Sequence, residues 1–296
     1  MGALPARFRR QRLLIIGCGD VGVRVAAIVR KHTRVIALTS SVEKIAVLRD
    51  LGITPLLGNL DKADSLARLS GLANRILHLA PPAAEGIVDG RTRRLLTSLA
   101  HRTMPAKLVY GSTSGVYGDC GGQWVSEVRP VNAQTDRGHR RVNAEAEVRF
   151  FGRYTQTATC VLRIPGIYAP DREGGTPRSR LEKRLPVLTT GDDVYTNHIH
   201  ADDLARACHL ALWRGAPQRI YHVNDDTVLM MGDYVDLAAD LYGLPRPPRV
   251  SRQEANRQLA PSMLSFMAES RRLVNRRMKD ELGLKLRYPT VHTGLH

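Results

Sequence analysis

The sequence predicts an α/β fold, a doubly wound parallel sheet joined by a small C-terminal lobe. Two observations predict it. Through the first half of the 296-residue chain, short runs of Leu, Ile and Val alternate with longer amphipathic stretches, the pattern of successive βαβ units. The first of these runs ends in Gly17-Cys18-Gly19-Asp20-Val21-Gly22, a turn that opens the first amphipathic stretch. A strand before it and a helix after it are what give a G-x-G-x-x-G pattern its meaning.

Strands are expected at 12–17, 34–39, 54–60, 75–80 and 107–113, with helices at 21–31, 42–51, 65–70 and 86–101 between them. The strand runs are almost continuously apolar, as strands covered on both faces must be. A helix at 137–154 and a strand at 159–163 follow. After Pro165 the texture changes. Residues 169–194 are rich in Pro, Gly, Arg and acidic side chains and read as loop with one short helix. A helix at 202–213, a strand at 219–223 and a helix at 231–242 come next, then a turn-rich connector at 244–249. An amphipathic helix at 263–281, ending at Gly283, closes the pattern. The expected division is a Rossmann-type domain over 1–165 and a mixed region over 166–296 that completes the sheet and forms a substrate lobe.

Composition narrows the class. Apolar residues make up 43% of the chain, enough for a large core, and no apolar run approaches the length that crosses a bilayer. The basic start leads straight into the first strand, which is too short for a signal-peptide core. Cys18, Cys120, Cys160 and Cys208 are too widely spaced for a metal site or a disulfide framework, and a reducing, cytoplasmic setting is expected. The net charge is +16, which raises nucleic acid as a partner. The arginines are scattered, however, with small clusters at 7–12, 91–94, 137–141 and 271–277. Aromatic residues are only 5% and do not interleave with those clusters. That argues against a base-stacking platform.

The glycine turn carries the clearest chemistry. Gly17 allows the tight turn, Gly19 lets main chain approach a pyrophosphate, and Gly22 lets helix pack on strand. Asp20 and Val21 open a helix whose N-terminal N–H groups and dipole favour phosphate. Choice of dinucleotide is read at the end of the second strand, where an acidic residue accepts the ribose hydroxyls of NAD. Here stand Thr39, Ser40 and Ser41. Their hydroxyls, with Arg24, Arg34 or Lys44 nearby in sequence, suit a 2′-phosphate. NADP(H) is therefore expected over NAD(H).

Several further segments together resemble the extended short-chain dehydrogenase/reductase superfamily, in its NAD-dependent epimerase/dehydratase branch, over nearly the whole chain. Gly58-Asn59-Leu60-Asp61 resembles the segment that holds adenine, and His78-Leu79-Ala80 the fourth-strand end that lines the cofactor. Tyr110-Gly-Ser-Thr-Ser-Gly-Val-Tyr-Gly118 resembles the fifth-strand motif, which places the catalytic hydroxyl at Thr113 with Ser112 and Ser114 beside it. The segment from Arg163 to Tyr168, with Ile164 and Pro165, resembles the stretch that passes the nicotinamide. Asn197-His198-Ile-His200 resembles the approach to the substrate lobe. The resemblance implies a small substrate that is polar, anionic or sugar-derived, and a homodimer through 86–101 and 137–154. In the second of these, Val142, Val148, Phe150 and Phe151 face a partner or the sheet.

One departure matters. The superfamily's Tyr-x-x-x-Lys pair falls, by alignment on Val142-Asn143-Ala144-Glu145, on Arg137 and Arg141. This resembles an atypical, YeeZ-like group that lacks the pair. Arginine stays protonated in proteins, so it can bind anions and donate hydrogen bonds but cannot act as a base. Arg141 can replace the lysine's charge at a ribose hydroxyl, and Arg137 can meet a carbonyl or an anion. Tyr117 and His139 are the nearby side chains able to move a proton. His198 and His200 either line the cleft or cap the helix at Asp202. Arg172, Arg178 and Arg180 suit phosphate or carboxylate, and Trp124 covers or anchors its loop. Two readings stay open: an NADP(H)-dependent oxidoreductase or epimerase with altered acid–base residues, and a non-catalytic NADP(H)-binding redox sensor.

Overall fold

The computed structural model describes residues 11–296; residues 1–10, with most of the basic cluster at 7–12, lie outside the described residues. The chain divides into two compact units. One is built from 1–112, 139–162 and 205–220, the other from 113–138, 163–204 and 221–296.

Seven strands form one sheet. They are β1 (Gln11–Ile16), β2 (Thr33–Thr39), β3 (Thr54–Leu57), β4 (Arg75–His78), β5 (Lys107–Thr113), β6 (Ala158–Ile164) and β7 (Arg219–His222), in the order β7-β6-β5-β4-β1-β2-β3. The pairs β1–β2, β2–β3, β1–β4 and β4–β5 all run parallel. Strand order reverses between β1 and β4, the switch point at which open α/β sheets bind ligands beyond their carboxyl ends. Leu13, Leu14, Ile15 and Ile16 have no exposed surface, which explains the unbroken apolar run read in β1. Each such side chain contributes about 1.5–3 kcal/mol by leaving water.

The first unit's helices are α1 (Asp20–Val29), α2 (Lys44–Asp50), α3 (Gly90–Leu99), most of α4 (Asp136–Thr155) and most of α5 (Ala201–Arg214). Val148 and Phe151 of α4 enter the sheet core, while Phe150 and Tyr154 stay exposed and stack on each other, centroids 5.9 Å apart. Where a helix was expected at 65–70, residues 63–69 form a 3-10 helix.

The second unit is assembled from short strand pairs and small helices. Gly166–Tyr168 pairs with His198–His200, Val187–Leu188 with Arg249–Val250, and Tyr195–Thr196 with Leu229–Met230. Its core gathers Tyr168, Leu181 and Val187 against Val235, Ala238 and Ala239 of α6 (Met231–Tyr242). A helix at Arg252–Gln258 opens with a Ser251–Glu254 capping box.

The expected single helix over 263–281 is corrected. The chain forms Pro261–Phe266, then a strand at Arg272–Leu273, then Arg276–Leu282 capped by left-handed Gly283. Main-chain bonds break the helix in the middle. Ser270 O accepts from the N–H groups of Cys120 and Gly122, both at 3.0 Å, and Arg272–Leu273 pairs in parallel with Trp124–Val125. These partners lie about 150 positions away in sequence, beyond the reach of a periodicity argument. Among the described residues, no helix is long and apolar enough to cross a membrane.

Candidate functional site

The first unit builds the glycine turn. β1 ends at Ile16 and the chain turns on Gly17, whose φ of +85° is left-handed. A Cβ on Gly17 would stand 2.4 Å from the Ala80 main-chain nitrogen. The contact is fixed because Leu79 and Ala80 both donate to Ile16 O, at 2.8 and 3.0 Å. A Cβ on Gly22 would meet Ile15, Cys18 and Gly17 at 3.3 Å, so α1 lies tight on its strand. Gly19 differs from both, since nothing lies within 4 Å of the place its Cβ would take. It is also the N-cap of α1 and makes no side-chain cap bond. The first-turn N–H groups therefore face an opening that a phosphate can enter. Burial pushes the Cys18 thiol up to about 11, so the cradle carries no thiolate to repel an anion.

At the end of β2, Thr39 Oγ1 accepts from Ser41 N at 3.2 Å, and Ser41 Oγ donates to the Glu43 carboxylate. That bond holds the Glu43 carboxyl below its usual range. An acidic group thus stands four residues beyond Thr39, at the N-cap of α2. Sequence reading missed it by looking only at 39–41; an acid at a helix start was the available signal. Arg34 sits near the opposite end of β2, and Arg24 pairs with Asp20 at 3.0 Å.

The segment 58–61 is tied down from both sides. Asn59 Oδ1 accepts from Asp61 N at 2.8 Å, and Leu60 O from Arg94 Nε at 2.7 Å. Arg91 grips Asp61 through two bonds, at 2.6 and 2.8 Å. The carboxyl of Asp61 is held low chiefly by the hydrogen bond from Arg91.

Arg141 donates to Tyr110 Oη at 3.0 Å and to Gly111 O at 2.9 Å. Burial outweighs that cation and pushes the Tyr110 phenol up to about 12, so it stays protonated. Beside it, Thr92 gives its hydroxyl hydrogen to Asp89 Oδ2 (2.6 Å) and so accepts from His78 Nε2 (2.9 Å). Burial lowers His78 to about 4, which keeps it neutral. Ser112 Oγ donates to buried Glu145 at 2.6 Å.

In the second unit, Thr113 Oγ1 accepts from Gly115 N at 3.2 Å and caps the 3-10 turn Ser114–Tyr117. Ser114 is buried in that turn. Tyr117 is buried too, with Oη 2.6 Å from both His222 Nε2 and Arg163. His222 Nδ1 faces Val274 O at 3.0 Å, so Nδ1 carries the proton and Nε2 accepts from Tyr117. Burial drives His222 down to about 3. Arg137 is exposed and lies over the Phe266 ring, 4.4 Å from its centroid. Its neighbour Gly138 brings α4 against the 3-10 turn, since a Cβ there would be 3.2 Å from Gly115 O. His139 is exposed.

The same unit encloses a cavity of about 390 Å³ lined by Tyr168, Arg180, Thr196, His198, Tyr234 and Phe266, among others. Three buried polar atoms of these residues lack a hydrogen-bond partner: Arg180 Nε, Thr196 Oγ1 and His198 Nδ1. Burial lowers His198 to about 4, so it offers a neutral imidazole. Native interiors seldom leave such atoms unsatisfied, and the residues that carry them are among those that line the cavity. Of the residues expected at a substrate, Arg180 and His198 line this cavity and Arg178 lines a neighbouring one of about 470 Å³, over the Tyr242 ring. Arg172 donates to Ile167 O at 3.4 Å. The Asn197 side chain is held by main chain of Arg271 and Leu273. His200 Nδ1 accepts from Asp202 N at 3.2 Å, the capping alternative. Ile164 is buried at the end of β6 and Pro165 follows it half-buried. Thr196 was not legible as a site residue, since a lone threonine carries no pattern.

The model of the NAD dependent epimerase/dehydratase family matches residues 14–224. A conserved protein of unknown function from Silicibacter pomeroyi DSS is 29% identical, with 96% of each chain covered and a TM-score of 0.78. MoeE5 in complex with UDP-glucose and NAD is 20% identical, with 96% of each chain covered and a TM-score of 0.74. UDP-glucuronic acid 4-epimerase from Bacillus cereus in complex with NAD is 16% identical, with 96% of each chain covered and a TM-score of 0.76. No curated protein matches the chain. The expectation of NADP(H) over NAD(H) is corrected by these structures, which hold NAD. The physical reason lies at β2. A carboxylate repels a 2′-phosphate and accepts hydroxyls, and Glu43 stands bonded to Ser41 just past the strand.

Proposed function

Because the chain belongs to the NAD dependent epimerase/dehydratase family, we propose that it is an NAD-dependent oxidoreductase of the epimerase/dehydratase type acting on a nucleotide-linked sugar. The observation that carries this reading is the cradle. Gly17 and Gly22 are closed by their neighbours, while Gly19 alone opens onto free space at a helix N-terminus. The residues present fit a dinucleotide. Main chain from Gly17 to Gly22 would hold its pyrophosphate, with Asp20 and Val21 at the helix start. Glu43 with Thr39, Ser40 and Ser41 would hold the adenosine ribose. Asn59 and Leu60 would border adenine; Leu79, Ala80, Ile164 and Pro165 would border the rest.

When bound, NAD supplies a reversible two-electron acceptor. The chain's own residues bind, orient and move protons. Thr113 orients the substrate oxygen through its hydroxyl. Arg141 brings a fixed positive charge to the family's lysine position. Arg137, always protonated, binds an anionic or carbonyl group instead of abstracting a proton. The substitution of both pair residues aligns the chain with the atypical YeeZ-like branch. Arg180, Thr196 and His198 would line the substrate in the cavity. The relatives that bind UDP-glucose or are named for UDP-glucuronic acid support a nucleotide-linked sugar as its occupant.

The test is direct. NAD and NADP are titrated by calorimetry, and the NAD-loaded protein is then mixed with UDP-glucose and with UDP-glucuronic acid while absorbance at the reduced-nicotinamide band is followed. NAD binding in the micromolar range with a rise in absorbance supports the reading. Binding with no rise under either sugar nucleotide favours a non-catalytic NAD-binding sensor.

A further inference from the structure

Oxidation of an alcohol needs a proton acceptor, and the position that supplies one in the family is Arg137 here. Tyr117, which ends the 3-10 turn after β5, has its hydroxyl held by His222 and Arg163. The acceptor must therefore come from elsewhere in the chain. A carboxylate does stand at the right place. Thr113 Oγ1 and Glu269 Oε2 face the same small space over Gly115: an atom at the Cβ position of Gly115 would be 3.6 Å from the first and 3.9 Å from the second. Glycine at 115 leaves that space open to a ligand atom.

Resting on the reading proposed above, we infer that Glu269 replaces the missing tyrosine as general base, receiving the proton of the substrate hydroxyl that Thr113 orients. Glu269 is fixed for this role. Arg271 donates to Glu269 Oε2 at 2.8 Å and to Gly118 O at 2.7 Å, so one guanidinium ties the carboxylate to the end of the 3-10 turn. Both side chains are 11% exposed. The extended stretch around Ser270, bonded to Cys120 and Gly122, holds the main chain beneath them. Three residues upstream, Phe266 lines the cavity and carries Arg137 on its ring. Arg137 and Glu269 thus flank one segment, the cation available to an anionic substrate group and the carboxylate available to its proton.

The step balances. NAD, when bound, would accept the hydrogen of the substrate's C–H bond together with its electron pair. The O–H proton passes to a Glu269 oxygen, and the carbonyl forms. Return of both regenerates the alcohol, on either face, and the Glu269 carboxylate. The substrate is oxidised by two electrons and the nicotinamide reduced by two.

The experiment uses the full chain loaded with NAD. Glu269→Gln is expected to slow reduction of bound NAD by UDP-glucose or UDP-glucuronic acid by about 100-fold or more, in the range of a lost general base. Calorimetric dissociation constants for NAD and for the sugar nucleotide should stay within about threefold, and the urea midpoint should hold. Glu269→Asp, which keeps the charge pair with Arg271, should retain an intermediate rate. Glu269→Ala should regain rate with added formate, an outcome that a structural ion pair does not produce. If Glu269→Gln reacts within about threefold of the native chain, or formate restores nothing, the assignment is overturned while the NAD-dependent reading stands. If the native chain reduces no NAD with either sugar nucleotide, that reading fails and takes the assignment with it.

Discussion

The two glycines at the cradle should respond to the same substitution in opposite ways. Gly17→Ala places a methyl 2.4 Å from the Ala80 nitrogen and 2.6 Å from its Cα, where ordinary contact is about 3.5–4 Å. Both atoms are main chain, locked to β1 by the bonds to Ile16 O. The left-handed φ adds about 1–2 kcal/mol for a residue with a Cβ, and the overlap adds about 1–3 kcal/mol. A loss of about 2–5 kcal/mol follows. Gly19→Ala meets nothing within 4 Å, so its stability cost is only that of alanine at an N-cap, about 1 kcal/mol. Its methyl, however, occupies the space through which a pyrophosphate must approach. The assay is urea unfolding beside calorimetric titration with NAD. Gly17→Ala should lose stability heavily. Gly19→Ala should keep most of its stability and lose NAD affinity at least tenfold, about 1.4 kcal/mol. Unchanged NAD affinity in a folded Gly19→Ala protein would refute the placement of the pyrophosphate.

Glu43→Arg should reverse cofactor preference, weakening NAD and strengthening NADP by about tenfold relative to each other in paired titrations, because a fork of donors replaces the carboxylate. Thr196→Val keeps shape but removes a buried, unpartnered hydroxyl from a residue that lines the cavity; sugar-nucleotide affinity should fall several-fold by calorimetry while NAD affinity stays unchanged. Stability should depend on pH with a defined sign. His78, His198 and His222 lie at about 4, 4 and 3 in the folded chain, all below the ordinary 6.5. The unfolded chain therefore binds those protons first, and stability is lost as pH falls below 6.5, by up to about 1.4 kcal/mol per pH unit for each histidine. Burial raises Asp225 to about 7 from 3.8, which works the other way, its stabilisation being lost as pH rises through that interval. Three histidines outweigh one aspartate, so the urea midpoint should fall between pH 6.5 and 5, and His198→Gln should flatten that fall.

How much the sequence reveals depends on how local the cause is. The cradle and the strands that carry it were legible because a strand, a turn and a helix follow one another within about 20 residues, each with its own apolar period. Helix α6 was legible to the residue, 231–242, for the same reason. The C-terminal stretch 263–281 was not. Its apolar spacing suits one helix, yet Ser270 and Arg271 are drawn to main chain at Gly118, Cys120 and Gly122, and those tertiary bonds override local preference. Reading that stretch as helix also hid Glu269, whose place beside Thr113 depends on the break. Glu43 escaped for a smaller reason: its carboxylate reaches the end of β2 only through Ser41. Family relationship was legible in the order of several weak segments, while Thr196 became visible only as an unpartnered hydroxyl in a cavity.

The central claim is that the open face of Gly19 receives the pyrophosphate of NAD. A diffraction structure of the chain grown with NAD tests it most directly. The account predicts the pyrophosphate within hydrogen-bond distance of main-chain N–H groups at 18–22 and the adenosine ribose hydroxyls against Glu43. A dinucleotide bound elsewhere, or a ribose turned away from Glu43 with the diphosphate clear of Gly19, would contradict it.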